Sequence, residues 1–187
     1  MPPRSQPGLG GAHEDAAALL AAQHLIGRGG REPADVHRVE LELAAPTAAG
    51  PQLRCADAAG ADAVVLTDSS VDIYNPKVVR STAGSLFHLP VVVGVPFVDA
   101  LAGLRAAGCR VLAADASGLT TLGDPALDLT DAHAWVMGNE AWGLPEALRE
   151  ACDEVVRVPI HGMAESLNLA MAATVCLYTS ATALARV

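Results

Sequence analysis

Residues Trp135 to Tyr178 carry the clearest structural signal in the chain and read WVMGNEAWGLPEALREACDEVVRVPIHGMAESLNLAMAATVCLY. A short apolar run is followed by a Gly-containing loop and a helical segment. A second apolar run then leads through another loop into a long helix rich in Ala and Leu. Short apolar runs bounded by turn residues are typical of buried strands. Strands that alternate with helices in this way predict a parallel sheet covered by helices.

The same alternation extends upstream as far as Val36. The sequences VHRVELEL, ADAVVLTD, PVVVGVP and RVLAADAS predict strands, and NPKVVRSTAGSLFHL predicts one helix that ends at Pro90. The sequence FVDALAGLRAAGC predicts an amphipathic helix with Val98, Leu101 and Leu104 on its apolar side. The fold class is therefore α/β, a parallel sheet with helices on both faces, and ligands are expected beyond the carboxyl ends of the strands.

Length and composition bound the organisation of the chain. Its 187 residues and 19.1 kDa suit one domain, predicted over residues 36–187, after a tail at residues 1–35 with a possible short helix at His13 to Ile26. Apolar residues make up 51% of the chain, which excludes general disorder. The formal net charge of −9 argues against a protein that coats nucleic acid, although it leaves room for one local basic patch.

The cysteines and the apolar segments bear on compartment and metal binding. Cys55, Cys109, Cys152 and Cys176 form no C-x-x-C pair, so the sequence predicts free thiols and no metal site. No run of apolar residues is long enough to span a membrane, and the N-terminus lacks the apolar core of a signal peptide. A cytoplasmic location is expected.

Two loops and one helix carry candidate functional residues. In the loop GNEAWGLPE, Gly138 could allow close approach to a ligand or could belong to an ordinary turn, and no phosphate-binding fingerprint is present. In the loop VPIHGMAESLN, the polar group of Glu165, Ser166 and Asn168 could cap the last helix or face a ligand. Arg54 is predicted at the head of a helix, where its charge opposes the dipole; it could be a surface residue or have a use elsewhere.

Taken in this order, the segments Gly60 to Val93 and Trp135 to Tyr178 resemble the SpoU (TrmH-like) class of the SPOUT superfamily. Members of that class are S-adenosylmethionine-dependent ribose 2′-O-methyltransferases that act on tRNA or rRNA. The resemblance covers the chain from about Val36 to its C-terminus. It implies an α/β knot, in which the C-terminal segment passes through a loop of the chain to form a trefoil. It also implies a homodimer whose active site is shared between subunits.

The resemblance also implies roles for individual residues. The cofactor S-adenosylmethionine would be held at Met137, Gly138, Val158, Ile160 and Leu167. The catalytic positions would be Arg54, Glu140, Ser166 and Asn168. Because a guanidinium is a poor base, the favoured role of Arg54 is to orient the 2′-hydroxyl near a phosphate, and a role in removing its proton stays open.

Two departures from the family pattern leave a second interpretation open. Ala48 occupies the position of the family's Asn, and only residues 1–35 precede the predicted domain in this sequence, where many members carry an N-terminal RNA-binding domain. Both features favour a catalytically weak, cofactor-binding dimer with a regulatory or partner-dependent role. A dinucleotide-dependent dehydrogenase is excluded because no Gly-rich fingerprint follows the first strand.

One further pattern concerns assembly. Leu167, Met171, Val175 and Tyr178 form an apolar stripe at helical spacing in the last helix. The stripe predicts either packing on the sheet or a dimer interface.

Overall fold

The computed structural model describes residues 38–42, 49–68, 70, 72–138 and 143–185. The predicted tail at residues 1–35 lies outside this part of the chain. Within it, strands and helices alternate. The strands are β1 (Arg38–Glu42), β2 (Ala63–Thr67), β3 (Val91–Val95), β4 (Arg110–Ala114), β5 (Thr120–Thr121), β6 (His133–Met137) and β7 (Glu154–Arg157). The helices are α1 (Ala49–Ala59), α2 (Pro76–Ser81), α3 (Phe97–Ala106), α4 (Glu146–Glu150) and α5 (Leu169–Leu184), with a 3₁₀ turn at Ser85–Phe87.

The strands form one sheet in the order β3-β2-β1-β6-β4-β7-β5. Every neighbouring pair is parallel, and β6 inserts between β1 and β4 with five residue pairs in register on each side. The predicted parallel α/β sheet is thereby confirmed. The late strand β6 is central in the sheet, so the loop that follows it opens at the middle of the carboxyl edge. The trefoil threading stays a prediction of the family resemblance.

Two apolar cores cover the two faces of the sheet. On one face, residues of α1 and α5 such as Leu53 and Leu177 pack with Trp135 of β6. On the other face, Leu101 of α3 packs with Val111 of β4. Helices therefore lie on both faces, as the sequence predicts.

A buried polar contact fastens α5 to the central strand. The Ser180 hydroxyl accepts a hydrogen bond from Trp135 Nε1 at 2.9 Å and lies 2.7 Å from His133 Nε2. The other ring nitrogen of His133 lies 2.7 Å from the Asp131 carbonyl oxygen. Because all of these polar groups have partners, their burial is not penalised, and the contact fixes α5 along the sheet.

The structure corrects two helix predictions. The single helix expected at residues 75–89 ends at Ser81, because the hydroxyls of Ser81 and Thr82 bond to backbone carbonyls three residues earlier and Gly84 takes the left-handed conformation (φ 102°). In α3 the buried side is formed by Phe97, Ala100, Leu101, Gly103 and Leu104. Val98 is 67% exposed, so its predicted place on the apolar side is wrong.

The four cysteines are free, as predicted, with Cys109 and Cys176 buried. Burial is the main reason why the pKa of Cys109 is raised to about 11. Within the described residues, no helix has both the length and the apolar character needed to cross a membrane.

Candidate functional site: a cavity beyond β4, β6 and β7

A cavity of about 220 Å³ opens where three neighbouring strands end. It lies beyond the carboxyl ends of β4, β6 and β7, which is where ligands bind in open parallel sheets. Its wall is mixed, with aliphatic side chains, two carboxylates and one hydroxyl. The lining residues are Ala114, Asp115, Ala116, Gly138, Gly143, Val158, Ile160, Glu165, Ser166, Leu167, Leu169 and Ala172.

Gly138 is required here by the packing of its own loop. A Cβ atom on Gly138 would lie 2.6 Å from the carbonyl carbon of Gly143 and 2.8 Å from the Leu144 nitrogen. Gly143 itself has φ +65°, a conformation that side chains disfavour. The backbone at Gly143 and Leu144 is therefore packed directly against the backbone at Gly138, the residue that follows β6. The close approach predicted at Gly138 is an approach of backbone to backbone, and it shapes the cavity wall.

Asp115, which the motif-based reasoning missed, anchors this loop from the end of β4. Its carboxylate accepts hydrogen bonds from the Ser117 N–H at 3.0 Å and the Ser117 hydroxyl at 2.6 Å, and it pairs with Arg149 at 3.2 Å. Burial alone would raise the pKa of Asp115, but the hydrogen bonds from Ser117 and from the Leu144 N–H, with the nearby Arg149 charge, hold it below its usual value. One signal could have found this residue: it is an acid placed directly after a buried strand.

The loop after β7 supplies the opposite wall. Glu165, Ser166 and Leu167 precede α5, which begins at Leu169, so the prediction that the whole polar group opens the helix is wrong. Asn168 is the N-cap, and its amide oxygen accepts hydrogen bonds from the Ala170 and Met171 N–H groups at 3.0 and 3.4 Å. The two interpretations of this polar group, helix capping and ligand contact, therefore apply to different residues. Asn168 caps the helix, while Ser166 faces the cavity.

Arg54 lies away from the cavity wall. Helix α1 begins at Ala49, so Arg54 is near the middle of the helix and its predicted place at the helix head is wrong. The first turn accepts Gly50 and Pro51 because the N–H groups there need no helical partner. The next residue, Cys55, contacts α5, with its sulfur 2.7 Å from the Thr174 hydroxyl. The Arg54 side chain is exposed.

Two further predicted site residues are a residue buried in the core and a residue outside the described part of the chain. Met137 is fully buried in the core at the end of β6, so only its backbone could contribute to a ligand site. Glu140 lies outside the described residues, as does Ala48. The other predicted cofactor positions, Gly138, Val158, Ile160 and Leu167, all line the cavity.

The predicted apolar stripe faces away from the sheet, with Met171, Val175 and Tyr178 in α5 and Leu167 two residues before the helix begins. Leu167, Met171, Val175 and Tyr178 are 38%, 63%, 41% and 46% exposed. The buried side of α5 is a different set of residues, among them Ala173, Cys176 and Leu177. Packing of the stripe on the sheet, one of the two alternatives from the sequence, is therefore wrong within a single copy of the chain.

Comparison with known proteins agrees with this geometry. The family model described as "SpoU rRNA Methylase family" matches residues 39–178. A 23S rRNA (guanosine(2553)-2'-O)-methyltransferase, RlmP of Bacillus subtilis (strain 168), is 41% identical over 133 residues, covering 69% of this chain and 51% of its own length. A 23S rRNA (uridine(2479)-2'-O)-methyltransferase of Streptomyces viridochromogenes is 41% identical over 135 residues, covering 69% of this chain and 46% of its own length. The chain thus spans about half the length of these curated relatives.

A solved structure gives the same result at the level of the fold. The SpoU methyltransferase AviRb from Streptomyces viridochromogenes, in complex with the cofactor AdoMet, superposes with a TM-score of 0.69 at 37% identity. The match covers 79% of this chain and 60% of that one. With the family model matched over most of the sheet and both loops of the cavity, the chain belongs to the SpoU rRNA methylase family.

Proposed function

We propose that this protein transfers a methyl group from S-adenosylmethionine to a ribose 2′-hydroxyl of tRNA or rRNA. One observation carries the proposal: four of the five residues that the family resemblance assigns to the cofactor meet in a single cavity, Gly138, Val158, Ile160 and Leu167. They come from two loops about twenty residues apart, and sheet order alone brings them together. The curated relatives named above are rRNA 2′-O-methyltransferases.

The chemistry of the cavity suits this cofactor. S-adenosylmethionine combines an apolar purine face with a cationic sulfonium centre. Val158, Ile160 and Leu167 offer apolar surface, while the carboxylates of Asp115 and Glu165 offer negative charge in the same cavity. Because the pKa of Asp115 is held below its usual value, this carboxylate is ionised at neutral pH. The site would thus accept a cation as well as an aromatic ring.

The protein's own tasks are to align the ribose 2′-hydroxyl with the cofactor and to assist the loss of the proton of that hydroxyl. When bound, S-adenosylmethionine supplies an electrophilic methyl group. The Ser166 hydroxyl lines the cavity and would hydrogen-bond ligand or substrate there. Asn168 would act indirectly, since its amide oxygen is engaged by α5 and holds the loop that carries Ser166 and Leu167. Arg54 would bind an RNA phosphate and orient the 2′-hydroxyl, because a guanidinium is always protonated and donates hydrogen bonds in a fork.

The position of Arg54 supports a site shared between two copies. Its side chain is exposed and is not among the residues that line the cavity of its own chain. A second copy packed on the exposed stripe of α5 could bring its own Arg54 to the cavity, because α1 packs beside α5 through the contact between Cys55 and Thr174. The stripe exposes four large apolar side chains, and burying them would stabilise such a homodimer.

The test is methyl transfer from labelled S-adenosylmethionine to total cellular RNA, followed by nuclease digestion and identification of the labelled nucleoside. The proposal expects label in a 2′-O-methylated nucleoside. Label on a base would contradict the reaction. Cofactor binding without transfer to any RNA would support the alternative, a catalytically weak cofactor-binding dimer.

An RNA substrate also agrees with the cytoplasmic location expected from the sequence.

A further inference from the structure

Three cations in this acidic protein stand apart from the rest. Arg105, Arg110, Arg149 and Arg157 each donate a hydrogen bond to a carboxylate, a carbonyl or a hydroxyl. By contrast, the side chains of Arg54, Lys77 and Arg80 are exposed and make no hydrogen bond or ion pair among the residues that the structure describes. An acidic chain offers many carboxylates, so three cations left without one are available to an external anion.

The three cations belong to neighbouring helices in contact. A Cβ atom on Gly50 of α1 would lie 1.7 Å from the Ser81 hydroxyl oxygen of α2, so the helices meet there without space for a side chain. Arg54 follows Gly50 by one helical turn and is on the same side of α1. A further turn along, Asp57 lies 2.7 Å from the His88 ring, beyond the end of α2. This side of α1 therefore runs along residues 81–88, the segment that directly follows Lys77 and Arg80.

On α2 the two cations share one side with the contact to α1. Lys77 and Arg80 are three residues apart, and Ser81 is four residues after Lys77, so all three lie on one side of the helix. Arg54 on α1 and the pair Lys77 and Arg80 on α2 thus flank the contact between the two helices, and we call these three exposed residues the cationic face. The nearby acids are engaged: Asp57 with His88, and Asp72 with the Tyr74 N–H at 2.9 Å.

Exposed aromatic side chains bracket α2. Tyr74 just before the helix is 69% exposed, and Phe87 in the turn after it is 80% exposed. The chain has only six aromatic residues of the Phe, Trp and Tyr types, so two of them at the surface around one short helix are unusual. A Phe ring exposed to water contributes no burial to the stability of the fold, whereas an unpaired base can stack on that ring.

We infer that the cationic face, with Tyr74 and Phe87, binds single-stranded RNA next to the target nucleotide, the cations contacting phosphates and the rings stacking unpaired bases. This inference rests on the proposed function for its substrate class. Interleaved cations and aromatic rings are what recognition of single-stranded RNA requires. The presence of Arg54 in the same surface ties it to the reaction, since the phosphates held by Lys77 and Arg80 would adjoin the one at Arg54.

The test measures binding of the full chain to a fluorescein-labelled single-stranded oligouridylate over a range of salt concentrations. The double variant Lys77→Ala/Arg80→Ala is expected to bind more weakly. The slope of log affinity against log salt should become shallower by about 1.4, since each lost contact to a single-strand phosphate removes about 0.7. The charge-preserving variant Lys77→Arg/Arg80→Lys should keep the parental slope, which a merely structural effect would not predict.

Two matched controls accompany this test. One asks whether losing a cation elsewhere on the protein has the same effect, and the other asks whether the aromatic ring of Tyr74 is what contributes to binding. Arg105→Gln removes one cation from α3, on the opposite face of the sheet, and should leave affinity and slope as in the parent. Tyr74→Ala should weaken binding about tenfold, whereas Tyr74→Phe, which keeps the ring, should bind like the parent. Thermal melting of each variant shows that it is folded.

The outcomes distinguish this inference from the proposed function. A Lys77→Ala/Arg80→Ala protein with parental affinity and slope would overturn the RNA-binding face, even if the parent methylates RNA. A parent that binds oligouridylate through these residues but transfers no methyl group would support the face and overturn the methyltransferase. A parent that binds no RNA would overturn the face, including the case in which a protein partner covers it.

Discussion

The cavity and the cationic face contrast in how their polar groups are held. At the cavity, Asp115 is tied to Ser117 and Arg149, and Asn168 is tied to the first turn of α5. At the cationic face, Arg54, Lys77 and Arg80 are exposed and form no hydrogen bond or ion pair with any residue that the structure describes. A small ligand is recognised by a binding site of fixed shape, so that site is built from backbone and from side chains already held by hydrogen bonds or ion pairs within the protein. A flexible polyanion is recognised by charges that can follow it, so its surface keeps cations free.

The largest effect is expected from Gly138→Val, which should abolish S-adenosylmethionine binding. The new Cβ would collide with Gly143 at 2.6 Å and displace the loop that forms the cavity wall. Gly162→Ala is the matched control, because a Cβ there meets nothing within 4 Å. Titration calorimetry with the cofactor checks both variants, and parental affinity in Gly138→Val would show that the ligand binds elsewhere. Binding of oligouridylate should survive in both.

Arg54→Ala tests the other region and should slow methyl transfer about 100-fold or more, while cofactor affinity stays near that of the parent. The expected loss is one charge-assisted contact that positions the nucleophile. Arg54→Lys keeps the charge without the fork and should recover only part of the rate. Single-turnover kinetics with mapped RNA give the rates. A fully active Arg54→Ala protein would remove this residue from the mechanism.

Met171→Glu asks whether the two regions must come from different copies of the chain. A charge at the centre of the exposed stripe should convert a dimer to a monomer, because it would be buried without a partner. The monomer should bind cofactor yet lose methyl transfer. Light scattering and the transfer assay are the measurements, with Ala102→Glu on the exposed side of α3 as control. A monomeric parent, or an active monomer, would contradict the shared site.

Asn168→Ala should lower the free energy of unfolding by about 1 kcal/mol, the usual cost of losing an N-cap. The variant leaves two N–H groups at the start of α5 without their present acceptor. Asn168→Asp should retain the cap. Chemical denaturation measures all three proteins. If the loop is held by this cap, cofactor affinity should fall along with stability, and unchanged affinity would show that the loop is held by other contacts.

Asp115→Asn should have the smallest effect, and its effect should depend on pH. Because the pKa of Asp115 is lowered in the folded protein, its ionised form stabilises the fold above the unfolded pKa of about 3.9. That contribution is lost as the pH falls through the lower, folded pKa. The difference in unfolding free energy between parent and variant should therefore shrink as the solution is acidified below about pH 4. A difference that is constant with pH would show that the carboxylate charge does not matter.

Sequence reasoning succeeded where the signal was local. The apolar runs before Asp68 and before Gly138 were read correctly as buried strands, and the free thiols were expected from cysteine spacing. It failed where several weak local preferences compete. The hydroxyls of Ser81 and Thr82, together with Gly84, end α2 early although residues 75–89 look helical as a whole.

Other features depend on contacts between distant segments and could not be read from the residues alone. The strand order β6-β4-β7 brings Gly138 and Val158 to the same cavity, and no periodicity reveals that order. The family resemblance supplied the grouping of the cavity residues in advance. It did not supply the contacts of Asp115, or the lack of a partner for Lys77 and Arg80 among the described residues, because both depend on which groups the fold brings within reach.

The separation of a cofactor cavity from an RNA-binding face is tested most directly by titrating each protein separately with S-adenosylmethionine and with RNA, and by adding methyl-transfer kinetics for the proteins that turn over. Gly138→Val and Lys77→Ala/Arg80→Ala are the two proteins to compare with the parent. The account predicts that Gly138→Val loses cofactor binding and keeps RNA binding. It predicts that the double variant keeps the parental Kd for S-adenosylmethionine and has a higher KM for RNA. Equal loss of both ligands in both variants would contradict it.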